Sequence, residues 1–250
     1  MTARQQNLSI VCDGLRLAGG ASVPQDPRGI VVLLHGIPSA APPDEDDEGY
    51  PGLARQFADE GWAAAWGEMR GVRASQGFFS IEGWVRDARA IVDAARALEG
   101  TGGLRLALVG SSAGGAVAVE ATKRGAPVDA LALLAAPAAW GSFADDPPGA
   151  VRRITEEAGM PLSEETLGDP TSWASEFETV VAEKSVIDIK VPLLVVHGTA
   201  DEVVPVNHAN RIADRARKAE LKIIEGAEHQ LRRDERAVAT VLDWLDRTIR

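Results

Sequence analysis

Six short apolar runs alternate with stretches of helical patterning, and this alternation restricts the chain to few folds. The apolar runs lie at 29–36, 62–66, 104–110, 128–137, 191–198 and 221–226. The stretches with helical patterning lie at 52–61, 82–100, 113–125, 207–219 and 234–250. Strands that are apolar throughout need cover on both faces, and in a parallel sheet the crossover helices provide it. The pattern therefore predicts an α/β fold with a mostly parallel, doubly wound sheet.

Two parts of the chain depart from this alternation. Residues 8–19 alternate apolar and polar side chains, which predicts an antiparallel edge strand or hairpin. From 138 to 189 no strand is evident, and the composition is polar, acidic and proline-bearing, which indicates a small, mostly helical cap. A segment of about fifty residues with few core-forming side chains is a poor independent domain. We therefore predict a single domain over 1–250, with the cap inserted at 138–189.

Charge and cysteine content exclude several classes of protein. The net charge of −11 and the pI of about 4.9 oppose a nucleic-acid partner, because binding to phosphates depends on Lys and Arg. The single cysteine, Cys12, excludes an internal disulfide and a cysteine zinc site. The chain has neither a signal-like apolar segment near its start nor about 18 consecutive apolar residues. We expect a soluble, cytoplasmic protein without a membrane partner; the sequence does not determine whether it forms homo-oligomers.

A predicted strand-to-helix junction contains the motif G-x-S-x-G, as GSSAG at 110–114. Ser112 occupies its central position, which makes it the candidate nucleophile. A serine on so sharp a turn has a strained backbone, so the residues two positions away must be small, as Gly110 and Gly114 are. The backbone N–H of Ala113, at the positive end of the following helix, is placed to stabilise an oxyanion. Ser111 is a weaker candidate, because two glycines do not flank it.

A serine nucleophile needs a histidine base, and the chain has four histidines. His35 and His197 each end an apolar run and precede a glycine, so we expect them to support turns. His208 begins a helical stretch and is expected to face solvent. His229 lies in the loop after the last predicted strand, at the sheet edge where parallel sheets bind ligands, and is therefore the predicted base.

The acid that orients the histidine is predicted in the same way. Asp201 follows the apolar run 191–198 and leaves the sheet at the same edge, with Glu202 as the fallback. Asp145 and Asp146, after the preceding strand, form a second candidate site for the acid. With Asp201, the chain order is Ser, Asp, His, which is the order of the α/β-hydrolase arrangement.

Four segments resemble the functional loops of the α/β-hydrolase superfamily: HGIPS at 35–39, GSSAGG at 110–115, HGTADEVVP at 197–205 and EGAEH at 225–229. The resemblance spans nearly the whole chain, and residues 68–95 look like the esterase and serine-peptidase-like branch. It implies the α/β-hydrolase fold and a second oxyanion donor, the backbone N–H of Ile37. HGIP in place of HGGG disfavours the hormone-sensitive-lipase-like esterases. Serine at 112 argues against dienelactone hydrolases and haloalkane dehalogenases.

These residues predict a serine hydrolase that cleaves a small soluble carboxylic ester through an acyl-enzyme, with no metal or organic cofactor. A thioesterase, an amidase or a small peptidase would use the same three residues, and a hydrolase fold retained as a non-catalytic ligand receptor also fits the sequence. Of the aromatic residues in the predicted cap, Trp140 is the candidate for the substrate pocket.

Charged residues near the predicted site have simpler interpretations. Arg70 and Arg73 are candidates to bind a substrate carboxylate, but we expect them to form structural ion pairs within the protein instead. The acidic run at 44–48 is interpreted as a solvated loop. If it borders the mouth of the site, it disfavours strongly anionic substrates by repulsion.

Overall fold

A mixed sheet lies at the centre of the protein in the computed structural model, which describes residues 3–41, 44 and 46–249, without the side chain of Ser142. The strands are β1 (Arg4–Asn7), β2 (Ile10–Cys12), β3 (Leu15–Leu17), β4 (Gly19–Val23), β5 (Ile30–Leu34), β6 (Ala63–Gly67), β7 (Leu106–Ser111), β8 (Ala130–Leu134), β9 (Leu193–Gly198) and β10 (Ala219–Ile224). Eight of these strands, within the described residues, form the main sheet in the order β1-β4-β6-β5-β7-β8-β9-β10.

Strands β5 to β10 run parallel, and β4 pairs antiparallel with both β1 and β6. Strand β5 shows why apolar runs suit this position. Its side chains alternate between two cores, with Ile30, Val32 and Leu34 on one face of the sheet and Val31 and Leu33 on the other. The prediction of a mostly parallel, doubly wound α/β sheet is confirmed.

Helices cover both faces of the sheet. In chain order they are α1 (Gly49–Asp59), α2 (Ile81–Arg96), α3 (Ala113–Lys123), α4 (Gly141–Ala144), α5 (Pro147–Arg152), α6 (Glu164–Gly168), α7 (Pro170–Ala174), α8 (Glu176–Thr179), α9 (Ala182–Ser185), α10 (Asn207–Arg215) and α11 (Glu235–Thr248). Helices α1 and α11 pack on one face, and α2, α3 and α10 pack on the other. None of the helices in the described ranges has both the length and the apolar character needed to cross a bilayer.

The N-terminal edge of the sheet differs from the prediction. The expected hairpin exists as β2 and β3, but it forms a separate two-stranded sheet. Strands β1 and β4 form the edge of the main sheet, and β4 begins with glycines that carry no strand signal. A Cβ on Gly19 would lie 2.7 Å from the carbonyl oxygen of Trp66, and one on Gly20 would lie 3.2 Å from the Trp66 ring. The neighbouring strand therefore requires small residues there.

Helix α10 ends earlier than predicted. The helical pattern extends to 219, but the helix stops at Arg215 and the backbone of Ala216 is extended. Ala219 pairs instead with Leu193 at the start of β10. Pairing with β9 satisfies the backbone of this segment and outweighs its helical propensity.

The segment 138–189, called here the cap segment, contains only short helices and no strand in the described residues. A cluster of aromatic rings holds it together, with Phe177 at the centre: Phe143 lies 4.7 Å, Trp173 5.3 Å and Trp140 5.4 Å from it, between ring centroids. Phe79, which precedes α2 in the body, packs against Trp173 at 6.0 Å. That this segment acts as a cap over the site stays a prediction.

Candidate active site

The loops that follow β5, β7 and β9 leave the sheet at one edge, because these strands are parallel. Ser112 follows β7 directly, Asp201 follows β9, and His229 follows β10. The structure therefore brings together three residues that are far apart in the sequence.

Ser112 lies on a sharp turn between β7 and α3. Its backbone has φ of 50° and ψ of −126°, a strained conformation for a residue with a side chain. The flanking glycines are required by space. A Cβ on Gly110 would lie 2.4 Å from the carbonyl oxygen of Gly114, and one on Gly114 would lie 2.3 Å from the carbonyl oxygen of His35. The turn thus exposes the Ser112 hydroxyl at the start of a helix.

Hydrogen bonds connect Ser112, His229 and Asp201. Nε2 of His229 lies 3.0 Å from Oγ of Ser112, and Nδ1 of His229 lies 2.8 Å from Oδ2 of Asp201. In a neutral imidazole, Nδ1–H donates to the carboxylate and Nε2 accepts from the hydroxyl. The His229 side chain is 20% exposed, whereas that of Asp201 is fully buried. These distances permit proton transfer between serine and histidine.

The carboxylate of Asp201 accepts hydrogen bonds on both oxygens. Oδ1 accepts from the backbone N–H groups of Val203 at 3.0 Å and Val204 at 2.8 Å, and Oδ2 contacts His229 and also His197 at 3.2 Å. Burial alone would raise the pKa of Asp201, but the hydrogen bonds from His197, His229 and Val204 outweigh burial and hold the pKa well below its ordinary value. The carboxylate therefore stays ionised beside His229.

The other candidate acids lie elsewhere. Glu202 is exposed and has no hydrogen bond to His229 among the described residues. Asp146 accepts from the backbone N–H of Gly149 and caps helix α5, and Asp145 is exposed. The geometry favours Asp201.

The predicted oxyanion donors flank Ser112. Gly36 precedes Ile37, and a Cβ on Gly36 would lie 2.7 Å from the Cβ of Ser112, so the two loops are in close contact. Ala113 is the first residue of α3, where backbone N–H groups lack helical acceptors. Within the described ranges, neither the N–H of Ile37 nor that of Ala113 donates to a protein group.

His35 supports this loop, as predicted. Its Nδ1–H donates to the carbonyl oxygen of Gly36 at 2.7 Å, and its Nε2 accepts from the backbone N–H of Met69 at 2.9 Å. Burial lowers the pKa of His35 to about 4, so the ring is neutral near pH 7. His208 differs from the prediction of a solvent-facing ring. The ring is half-buried, and its Nδ1 accepts a hydrogen bond from the backbone N–H of Ala138 at 2.9 Å. This hydrogen bond joins α10 to the cap segment.

Trp140, the candidate pocket residue, is only 7% exposed. Its indole N–H donates to the carbonyl oxygen of Val180, and its ring packs between Phe143 and Phe177. These contacts lie within the cap segment. A contact between Trp140 and a substrate stays a prediction.

The prediction that Arg70 forms a structural ion pair is confirmed. Its guanidinium contacts the buried carboxylate of Asp87 at 2.7 Å and Asp13 at 2.8 Å. Arg73 is mostly exposed and pairs with Glu68 at 3.5 Å.

The acidic run at 44–48 contains ion pairs that the sequence did not reveal. Asp47 pairs with Arg232, and Asp44 pairs with Arg233 at 2.7 Å. Glu45 lies outside the described residues. The hydrogen bond from Arg232 lowers the pKa of Asp47 to about 2. Arginines pair with Asp44 and Asp47, which reduces the negative charge that these two residues present. Repulsion of anionic substrates by the acidic run stays a prediction. The signal that sequence reasoning missed is the pair of arginines close behind His229.

The mostly parallel sheet, the strained serine turn and the linked histidine and carboxylate define the class of protein as an α/β-hydrolase of the serine hydrolase type. More narrowly, the chain belongs to the prolyl oligopeptidase family, whose model matches residues 82–250. The matched region includes Ser112, Asp201 and His229.

Solved structures of similar fold cover nearly the whole chain. The α/β hydrolase GrgF from Penicillium sp. sh18 is 18% identical, with a TM-score of 0.77 over 100% of this chain and 99% of that one. Est1E from Butyrivibrio proteoclasticus, with ferulic acid bound, is 21% identical, with a TM-score of 0.72 over 98% and 99%. The Pyrococcus furiosus esterase Pf2001 is 18% identical, with a TM-score of 0.72 over 99% and 94%. No match is found among curated protein sequences.

Proposed function

We propose that the protein is a serine hydrolase that cleaves small soluble carboxylic esters through an acyl-enzyme on Ser112. The observation that carries the proposal is the linked pair of hydrogen bonds, 3.0 Å from Ser112 to His229 and 2.8 Å from His229 to Asp201. Without His229 and Asp201, the Ser112 hydroxyl would be a poor nucleophile at neutral pH.

In the first half of the cycle, Oγ of Ser112 attacks the ester carbonyl carbon while Nε2 of His229 takes the hydroxyl proton. The negative charge that develops on the carbonyl oxygen is stabilised by the backbone N–H groups of Ile37 and Ala113. The proton on Nε2 then passes to the departing alkoxide, which leaves as the alcohol. Asp201 stays ionised and stabilises the transient imidazolium.

In the second half, water replaces the alcohol. Nε2 of His229 takes a proton from the water as its oxygen attacks the acyl carbon, and the same oxyanion donors act again. Return of the proton to Oγ of Ser112 releases the carboxylic acid and restores the enzyme. General acid and base assistance of this kind contributes about 10²- to 10⁴-fold in rate, and one oxyanion donor about 10²- to 10³-fold.

A small ester is the preferred substrate for two reasons. The aromatic rings of the cap segment pack against one another, so they offer no long apolar face for an oil surface. One structural relative, Pf2001 from Pyrococcus furiosus, is an esterase, and another, Est1E, binds ferulic acid. The second candidate is cleavage of a small peptide or amide, which the match to the prolyl oligopeptidase family favours.

The test combines labelling with a substrate comparison. Ser112→Ala should abolish labelling by a fluorophosphonate probe, whereas Ser111→Ala, at a neighbouring position whose side chain lies by Tyr50, should keep it. Turnover of p-nitrophenyl acetate and butyrate above that of matched aminoacyl p-nitroanilides supports the esterase. The reverse order supports the peptidase, and undiminished labelling of the Ser112→Ala variant rules out the proposed nucleophile.

A further inference from the structure

A second histidine contacts the carboxylate of Asp201. His197 is the penultimate residue of β9, and its side chain is completely buried. Its Nε2 lies 2.7 Å from the carbonyl oxygen of Val204 and 3.2 Å from Oδ2 of Asp201. Oδ2 is the same oxygen that faces Nδ1 of His229. Two imidazoles therefore share one carboxylate oxygen.

The protonation of His197 follows from its partners. A carbonyl oxygen only accepts, so the 2.7 Å contact with Val204 requires a hydrogen on Nε2. The same nitrogen lies 3.2 Å from Oδ2 of Asp201, so its N–H faces a second, more distant acceptor. Nδ1 is buried without a hydrogen-bond partner within the described part of the chain, which fits the unprotonated nitrogen of a neutral ring.

We propose that His197 is a positioning residue for Asp201: its Nε2–H holds the carboxylate and withdraws charge from the oxygen that serves His229. The inference rests on the proposed function, because the group it acts through is the proposed base. Oδ1 is held by the N–H groups of Val203 and Val204, so His197 and His229 complete the set of four donors around Asp201. Loss of the donor from His197 would leave more negative charge on the carboxylate of Asp201. That charge would stabilise the protonated form of His229 and raise its pKa.

The surrounding charges are few. From α10, His208 faces both His197 and Asp201, and Arg211 and Glu183 face His208 in turn. Burial lowers the pKa of His208, with a further contribution from Arg211, so this ring adds little positive charge near pH 7. Among the titratable side chains of the described residues that face Asp201, His197 thus contacts its carboxylate without taking part in the proposed proton transfer.

The test compares His197→Phe, which removes the donor, with His197→Gln, whose amide nitrogen reaches a position close to that of Nε2. In the Phe variant we expect the pKa of His229 and the acid limb of the kcat/KM profile to rise by roughly one pH unit, with kcat lowered about 10- to 100-fold. The Gln variant should restore most of the activity and the original acid limb. His208→Gln is the matched control and should leave the pKa of His229 in place.

Two measurements keep the result independent of turnover. The pKa of His229 is measured by NMR in a Ser112→Ala background, so a shift in the Phe variant supports the inference even if no ester is cleaved. If the Phe variant does not fold, the ring-nitrogen chemical shifts of His197 in the unmodified protein still test whether its proton lies on Nε2. Protonation of His197 on Nδ1 overturns the inference. Equal pKa values of His229 in the Phe variant, the Gln variant and the unmodified protein also overturn it. So does a shift in the pKa of His229 that is equally large in the Phe and Gln variants.

Discussion

Gly36 sets the distance between the loop after β5 and Ser112. A Cβ there would lie 2.7 Å from the Cβ of Ser112 and 3.1 Å from the carbonyl oxygen of Ser111. Neither contact involves the far end of a flexible side chain, so the loop itself must move to relieve it. The next residue in that loop is Ile37, the proposed oxyanion donor.

We therefore expect Gly36→Ala to lower kcat for p-nitrophenyl acetate by about 10²-fold, the cost of losing one oxyanion donor. Gly102→Ala is a matched control, because a Cβ at Gly102 meets nothing within 4 Å. Steady-state kinetics and thermal melts of both variants test this. Unchanged kcat in a folded Gly36→Ala variant would contradict the proposed role of the loop.

Single residues of the site were predictable to different degrees. Ser112 and its glycines follow from local sterics, which are visible in the sequence. The burial of His208 was not predictable, because its partner is the backbone of Ala138, seventy positions away. The aromatic character of Trp140 was visible, but only the packed structure shows that its indole N–H is used within the cap segment.

The loop after β5 and the turn after His229 are joined by Asp47 and Arg232. Both of their side chains are mostly buried, and Arg232 also lies 5.5 Å above the ring of Tyr50 in α1. The short turn Leu231–Arg233 begins two residues after His229. The ion pair thus links the turn that follows the proposed base to the residues that immediately precede α1.

For Arg232→Gln we expect a loss of roughly 1.5–3 kcal/mol in the free energy of unfolding, as for a hydrogen bond to a charged group, together with slower fluorophosphonate labelling. Arg233→Gln is the control, because the pair of Arg233 with Asp44 is much more exposed and exposed pairs contribute little. Denaturant unfolding and labelling rates measure both effects. Equal behaviour of the two variants would show that the Arg232 pair does not hold these loops.

Acid should destabilise the folded protein in two stages. Burial lowers the pKa of His35 from an ordinary value of 6.5 to about 4, so between these values the unfolded chain binds a proton that the folded protein does not. The free energy of unfolding therefore decreases as the pH falls through this window. At lower pH, Asp47 has an effect in the same direction, because Arg232 lowers its pKa from 3.8 to about 2. The ionised Asp47 stabilises the folded protein above pH 3.8, and this stabilisation is lost as the pH falls toward 2.

The contribution of His35 between about pH 7 and pH 4 should be about 3 kcal/mol, since one pKa unit corresponds to about 1.4 kcal/mol. Urea unfolding at several pH values measures it. In His35→Gln, which keeps an acceptor for the N–H of Met69 but does not titrate, the decrease in this window should be much smaller. An identical pH dependence in both proteins would show that His35 is not the group responsible.

The alternating apolar and helical segments were sufficient to predict the six parallel strands β5 to β10 and the helices between them, because burial on both faces leaves a continuous apolar signal in each strand. The antiparallel edge was only partly predictable. Gly19 and Gly20 in β4 carry no strand signal, and their place in the sheet depends on the shape of Trp66 next to them.

The amino-acid order alone was enough to predict the parallel part of the sheet, the serine turn and the three residues of the proposed site, because periodicity, local sterics and the shared edge of parallel strands can be read along one chain. Folding in three dimensions was needed to reveal the contact of His197 with Asp201, the pairing of Asp47 with Arg232 and the aromatic core of the cap segment. Those contacts depend on side-chain directions and on loops that meet across the sheet edge, and no spacing in the sequence encodes them.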